Sequence, residues 1–469
     1  MKRPLKFLVA VAAAMSLASC GLGDSNENKD GDADGDKAAF SKDPYPSTYI
    51  PRASNTVLIT NATILDGIGG LIENGSLLLQ DGNISAIGEG LEAPDGAVTI
   101  DADGKWVTPG IIDNHSHLGV YASPGVNAHS DGNEITGPVT AEVWAEHGLW
   151  PQDPGFTRAL AGGITSMQIL PGSANLFGGR GVVIKNVLSR TVQGMKFPDA
   201  PYTLKMACGE NPKRVYGGRG QAPGSRMGNF AGYRQSWIKA KEYKRKWDKY
   251  AEDGGDAPGR DLELDTLAGV LAGDILVHMH CYRADEMVQV LDMAEEFGYK
   301  VTSFHHGVEA YKIADRLAEA DVCASIWADW WGFKMEAYDG VRENLPLVHN
   351  ANACAIVHSD SDVGIQRLNQ EAAKAWSDGQ RAGLDISKAD AWSWLSANPA
   401  KSLGIFERTG SLEVGKAADV VIWTADPFSV YAKPEHVFID GAKLYDLNDD
   451  ALLPVTDFEL GQPGEGDRK

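Results

Sequence analysis

Positive charge is what this chain has least of. It carries 43 Lys and Arg against 64 Asp and Glu, a formal net charge of −21 at pH 7. A nucleic-acid backbone is itself a polyanion, so general nucleic-acid binding is disfavoured. Cysteine is scarce, five in 469 residues, too few for a disulfide-dense scaffold. Cys208, Cys281, Cys323 and Cys354 lie far apart and mostly within apolar runs. That pattern reads as buried free thiols rather than a disulfide framework. No apolar run reaches the roughly 18 residues of a membrane-spanning helix. Core-forming material is present in ordinary amounts, with 43% hydrophobic and 23% charged residues. Glycine is plentiful at 53, which points to tight turns and close backbone approaches. The length suits one large domain and a smaller one.

The start of the chain reads differently from its body. Lys2, Arg3 and Lys6 precede an apolar run over residues 7–17, the layout of an export signal. The run closes Leu17-Ala18-Ser19-Cys20-Gly21, which resembles a bacterial lipobox. On that resemblance residues 1–19 are a lipoprotein signal peptide and Cys20 is lipidated. An acyl chain would hold the protein to a membrane of the cell envelope without a spanning helix. Gly21 follows the Cys with no Asp, which favours the outer membrane or periplasmic face of a Gram-negative cell. Residues 20–54 form an acidic tether with little to bury. Asp30, Asp32, Asp34 and Gly35 imitate half a calcium loop, but Ser41 stands where its closing Glu belongs.

Beyond the tether, short strands and Gly turns occupy residues 57–60, 76–80, 84–88 and 98–101. Strand–loop–helix units follow, with strand candidates at 110–114, 164–170, 182–187, 202–207, 275–279, 300–304, 322–327 and 353–357. Helices are expected at 284–297 and 309–319, and a last one at 391–403. Strands return at 410–423 and 437–439. The predicted class is α/β: a (β/α)8 TIM-like barrel over residues 108–404. A small β-sandwich domain is expected from both chain ends, 55–107 and 405–446, with an acidic tail over 447–469. Gly410-Ser411-Leu412-Glu413-Val414-Gly415-Lys416 has phosphate-loop spacing. Ala417 and a following strand stand where Ser/Thr and a helix are needed, so nucleotide binding is not expected. Residues 233–250 read as a helix packed through Tyr233, Trp237, Ala240 and Trp247, with its basic face solvated.

The chemistry-bearing residues gather at strand ends. His115 and His117 are two apart, so on a strand both rings leave the same side. At the end of a barrel's first strand that side is the open mouth, where such folds build active sites. Two imidazoles there make half of a divalent-metal site. Later candidate strands end in His278 and His280, in His305 and His306, and in His358 and Asp360.

With these residues the sequence resembles the amidohydrolase superfamily of metal-dependent hydrolases, in the branch of imidazolonepropionase-like and uncharacterised bacterial members. The marks are residues 109–117 (Pro-Gly-Ile-Ile-Asp-Asn-His-Ser-His), 159–165, 209–213 and 415–422. The resemblance implies one or two divalent ions, zinc foremost, held by His115, His117, His280, His306 and Asp360. Asp360 would also be the general base. His358 would steady the substrate or Asp360, and His278 and His305 would be neighbours that either back the ligands or simply pack. A carbamylated Lys or a Glu supplies the strand-four ligand in two-metal members. Lys205, pointing into the barrel, is favoured, and Glu210 stays open beside it.

The implied reaction is attack by metal-activated water on a C–N bond, in an amide, cyclic amide or amidine of a small molecule. Bonds other than ordinary peptide bonds are expected, with dipeptidase and deaminase activities as variants. Substrate contacts are expected from Tyr282, Arg283, Tyr311, Trp331 and Lys334, with Lys312, Trp330 and Glu336 nearby. The opposing reading is a catalytically silent, membrane-anchored receptor or scaffold. A receptor has no need to retain Asp360 alongside four histidines, which favours the enzyme. The fold could also self-associate as a homo-oligomer.

Overall fold

The computed structural model describes residues 43–452. The export signal, Cys20, most of the acidic tether and the tail beyond 452 lie outside the described residues. Strands open the chain at β1 (Val57–Leu65), β2 (Leu71–Gln80), β3 (Asn83–Glu89), β4 (Val98–Asp101) and β5 (Trp106–Pro109). A second set follows: β6 (Ile111–Ser116), β7 (Ile164–Ile169), β8 (Phe177–Lys185), β9 (Thr203–Ala207), β10 (Leu276–Cys281), β11 (Val301–His306), β12 (Cys323–Ile326) and β13 (Ala355–Val357). The last are β14 (Val420–Trp423), β15 (Pro434–Ile439) and β16 (Ala442–Asp446). Helices are α1 (Pro154–Ala161), α2 (Glu210–Gly217), α3 (Arg226–Asp253), α4 (Leu262–Ala272), α5 (Ala284–Phe297), α6 (Ala314–Glu319), α7 (Asn344–Asn350), α8 (Leu368–Arg381), α9 (Lys388–Trp392) and α10 (Ala397–Ser402).

The strands sort into two eight-stranded sheets. One runs β16-β15-β14-β5-β1-β2-β3, with β4 paired to β1. It joins both ends of the chain because β5 and β14 pair antiparallel, Val107 opposite Ile422. Alternating residues of β1 and β2, among them Ile59, Ile64, Leu77 and Leu79, bury a separate apolar core with Val420, Ile422 and Phe438. The other sheet runs β6 to β13 in sequence order and is the barrel. Gly110 carries the chain from one sheet to the other. A Cβ there would lie 2.1 Å from the Thr165 side chain, so only glycine fits the crossing.

Within the barrel one strand departs from the eight parallel strands that the sequence suggests. β8 pairs antiparallel with both β7 and β9. The loop over residues 170–176 is too short for the crossover of roughly a dozen residues that parallel neighbours require. The chain therefore turns back as a hairpin. Helices cap as their sequences suggest: Asp153 accepts from Gly155 N ahead of α1, Ser225 caps α3 and Asp261 caps α4. Tyr233, Trp237, Ala240 and Trp247 on α3 are all buried. Trp237 stacks on Tyr299 at a centroid distance of 4.4 Å. The expected helix over 391–403 is broken instead into α9, a 3-10 turn at Ser393–Leu395 and α10. Among the described residues no helix is long and apolar enough to cross a membrane.

The four cysteines correct the free-thiol expectation. Cys208 is bonded to Cys281, and Cys323 to Cys354. Their sequence separations of 73 and 31 hid the pairing. Parallel neighbours removed it: β9 and β10 end side by side, with Cys208 N donating to His280 O at 2.8 Å. Cys323 opens β12 next to the residues entering β13, where Ala324 N donates to Cys354 O at 2.8 Å.

Candidate metal centre

β6 delivers His115 and His117 to the barrel mouth. His117 Nδ1 lies 2.8 Å from Leu170 O. A carbonyl can only accept, so Nδ1 carries a proton and Nε2 is the nitrogen turned towards the cluster. His115 Nε2 lies 3.3 Å from His117 Nε2. Asp360 Oδ1 faces both, at 3.3 Å from His115 Nε2 and 3.2 Å from His117 Nε2. Burial, reinforced by Lys205 and neighbouring imidazoles, drives the His115 pKa well below its ordinary value, so the ring is neutral at pH 7. Burial alone would raise the Asp360 pKa. His117, His306 and His358 instead hold its carboxyl far below the usual range and keep it ionised. Electron-pair donors thus converge on one point, an arrangement that suits a cation between them.

Around this point stand the other predicted residues. Lys205 on β9 is buried, its Nζ 3.4 Å from His115 Nε2. Burial brings its pKa down to about 7. His306 packs its ring 4.9 Å from that of His115 and 4.5 Å from that of His280. Its Nδ1 is 4.0 Å from Asp360 Oδ2. His358 stacks on His115 at 5.0 Å, and burial lowers its pKa to about 3. Ligand atoms close enough to share an ion fall in two groups: His115, His117 and Asp360, and His115, His306 and His358. His280 lies beside them, its Nε2 3.4 Å from Asn211 Nδ2. The Nδ1 atoms of His280 and His306 are buried without a hydrogen-bond partner among the described residues. Such a nitrogen-rich, carboxylate-completed donor set fits a divalent ion that takes imidazole.

Two of these residues hold an unusual backbone. His306 has φ +74° and Asp360 φ +48°, the left-handed region that side-chain-bearing residues seldom enter. In β11 strict alternation would put His306 on the face opposite His305. The left-handed turn at the strand end brings its ring back among the mouth histidines. Asp360 is held by its own N–H, which donates to His115 O at 3.0 Å. Conformations of this kind persist where the surroundings fix them, often at functional sites.

The remaining candidates lie farther out. Glu210 opens α2 and faces Lys334, Nζ to Oε1 3.4 Å, rather than the histidines. Lys334 also approaches Asn211 Oδ1 at 3.2 Å and sits over the Tyr282 ring at 4.1 Å. Tyr282 is buried, its ring 4.9 Å from that of His280 and 5.3 Å from that of His306. Trp327 stacks on His306 at 4.2 Å, and Trp330 on Trp327 at 5.4 Å. Trp331 is exposed at the edge of the same cluster. Arg283 is engaged by Asp285 on the exposed rim, at 2.9 Å. Tyr311 and Lys312 sit on a 3-10 turn, Lys312 bound to Glu309 and Asp339 at 2.8 and 3.2 Å. Glu336 pairs with Arg226.

Three further residues, which the sequence places in motifs without a stated role, contribute to the site. Asp113 accepts from His115 N at 3.1 Å and from Ser359 N at 3.3 Å, so it ties β6 to the turn after β13. Asn211 meets His280. Trp327 stacks on His306. Asp113 was legible as an acid two residues before a ligand, Asn211 as a member of the 209–213 motif and Trp327 as the start of an aromatic run after a strand; their partners were not.

The model of the amidohydrolase family matches residues 106–444. Amidohydrolase tasK of Hapsidospora irregularis is 33% identical over 405 residues, which is 81% of this chain but 41% of that protein. The chain therefore spans under half the length of that relative. An imidazolonepropionase of Mesorhizobium japonicum is 24% identical over 388 residues, 77% of this chain and 90% of its own length. The crystal structure of an amidohydrolase from Thermotoga maritima MSB8 is 37% identical with a TM-score of 0.77, covering 83% of this chain and 100% of that one. This chain belongs to the amidohydrolase family.

Proposed function

We propose that the protein is a metal-dependent hydrolase that cleaves a C–N bond in a small amide, cyclic amide or amidine. The observation that carries this reading is the meeting of His115 Nε2, His117 Nε2 and Asp360 Oδ1 within 3.3 Å of one another. Those three would hold one divalent ion, zinc foremost. Lys205, His280 and His306 would hold a second, with His358 close enough to share in it. A divalent ion bound there supplies Lewis-acid polarisation and makes nearby water acidic.

The chain's own groups do the rest. Asp360, held ionised, accepts the proton of the attacking water at a carboxylate oxygen and returns it to the leaving nitrogen. Lys205 supports the strand-four position because it lies beside His115, whereas Glu210 is engaged by Lys334. Its buried amine, with a pKa near 7, is suited to carbamylation. Tyr282, Trp327 and Trp330 wall the mouth and exclude water from one side. Lys334 is placed to meet an anionic or carbonyl group of a substrate. The likeness to an imidazolonepropionase puts imidazolones among the first cyclic amides to test.

The test is metal analysis joined to a substrate screen. Protein from Asp43 onward should purify with one to two equivalents of metal, as sites of this kind hold. It should hydrolyse a member of a dipeptide, cyclic-amide or deaminase panel and lose that activity on chelation. Activity that survives complete metal removal would sink the reading.

A further inference from the structure

Below the metal centre, two histidines outside the proposed ligand set form a continuous hydrogen-bonded line. His115 Nδ1 lies 2.8 Å from His305 Nδ1. His305 Nε2 lies 2.8 Å from His278 Nδ1. His278 Nε2 lies 3.0 Å from Ser402 O. All three rings are buried, none more than about 1% exposed. The line runs from β6 across β11 and β10 to the last turn of α10, where a helix carbonyl needs a partner.

We infer that His305 and His278 are positioning residues that fix His115 in the Nδ1–H tautomer and so present its bare Nε2 to the metal. The Ser402 carbonyl can only accept. His278 must therefore donate through Nε2, which leaves its Nδ1 as an acceptor. His305 must donate to that acceptor through Nε2, which leaves its own Nδ1 bare. His115 must then carry its proton on Nδ1. One backbone carbonyl thus sets every proton in the line, and each ring stays neutral. A ligand imidazole that donates from its far nitrogen is both oriented and made a better donor to metal. His117 donates from Nδ1 to a backbone carbonyl directly, at Leu170 O; His115, deeper in the barrel, reaches one only through two rings.

This inference rests on the proposed metal centre, and its test separates the two. His305→Phe keeps the ring but removes both nitrogens. His305→Gln restores an acceptor at one end and a donor at the other. Zinc affinity, measured by chelator competition, should fall about 10–100-fold in His305→Phe, the usual worth of an outer hydrogen-bond partner. It should return to within a fewfold of wild type in His305→Gln. A packing role would leave both variants equally impaired. Neutron diffraction from zinc-loaded wild-type crystals exchanged into D2O should show deuterium on Nδ1 of His115 and on Nε2 of His305 and His278. Deuterium on Nε2 of His115, or a His305→Phe protein with wild-type zinc affinity, overturns the inference. Should His305→Phe not fold, the nuclear positions alone decide. Wild-type protein with no zinc affinity would count against the hydrolase reading, and the same crystals without zinc would still decide the proton order.

Discussion

Ser359 and Asp113 hold the two ends of the barrel together. The Ser359 hydroxyl donates to Asp113 Oδ2, and its N–H donates to Oδ1 at 3.3 Å. Asp113 Oδ1 also accepts from His115 N at 3.1 Å. One carboxylate thus sets the spacing between the strand that carries His115 and the turn that carries Asp360. Asp113→Ala takes this acceptor from the buried His115 and Ser359 N–H groups, at about 1–3 kcal/mol each, while the Ser359 hydroxyl keeps His115 O at 3.3 Å. The variant should unfold at markedly lower urea and retain less metal. Urea denaturation and metal analysis check both. A variant with wild-type stability and metal content would remove Asp113 from this role.

Asp360 and His117 should separate proton transfer from metal binding. Asp360→Asn keeps the shape and one oxygen but removes the proton acceptor, so turnover should fall by about 10²–10⁴. Metal content should fall much less. His117→Ala should lose metal and turnover together. Rates, metal content and circular dichroism on the same preparations distinguish the cases. An Asp360→Asn enzyme within a fewfold of wild type would pass the base role to His358.

The pH dependence of assembly follows from Lys205. Burial lowers its pKa to about 7, so the neutral fraction of the amine grows as pH rises through that value. Only the neutral amine takes up carbon dioxide to form a carbamate. Carbamate forms from the neutral amine and carbon dioxide with release of a proton, so metal uptake by metal-free protein should accelerate with added bicarbonate, and under a fixed carbon dioxide pressure more at about pH 8 than at about pH 6. Lys205→Ala should abolish the bicarbonate response. Wild-type uptake that ignores bicarbonate at both pH values would turn attention to Glu210 as the strand-four ligand.

Cys20 lies outside the described residues, and its role is a proposal from sequence alone. Replacing it with Ser should release the protein from the membrane fraction, because the acyl chain would be lost and among the described residues no helix is long and apolar enough to cross a membrane. Sedimentation of the Cys20→Ser protein with membranes would show the lipobox reading to be mistaken.

Much of the site was legible because ligand chemistry restricts residue type. His115, His117, His306, His358 and Asp360 all close barrel strands, and a strand's end can be read from where its apolar run stops. Direction was not legible. The run at 182–187 looks the same whichever way it travels, and only the short loop after β7 betrays the hairpin. His306 defied alternation because a single left-handed residue overrides the two-residue period. The disulfides were hidden by distance along the chain, since adjacency of β9 with β10 is a property of the closed barrel. The line from His115 to Ser402 was invisible for the same reason: three of its members are histidines in the sequence, and the fourth is a carbonyl.

The Cys208–Cys281 bond staples the strands that present Lys205 and His280. Thiol-rich cytosol keeps such pairs reduced, and loss of a native disulfide typically costs about 2–5 kcal/mol. Protein harvested from an ordinary cytosolic expression host would carry the right sequence with this seam unfastened. A substrate screen run on such material could return silence across every compound, for a reason that lies in the host rather than in the chemistry offered.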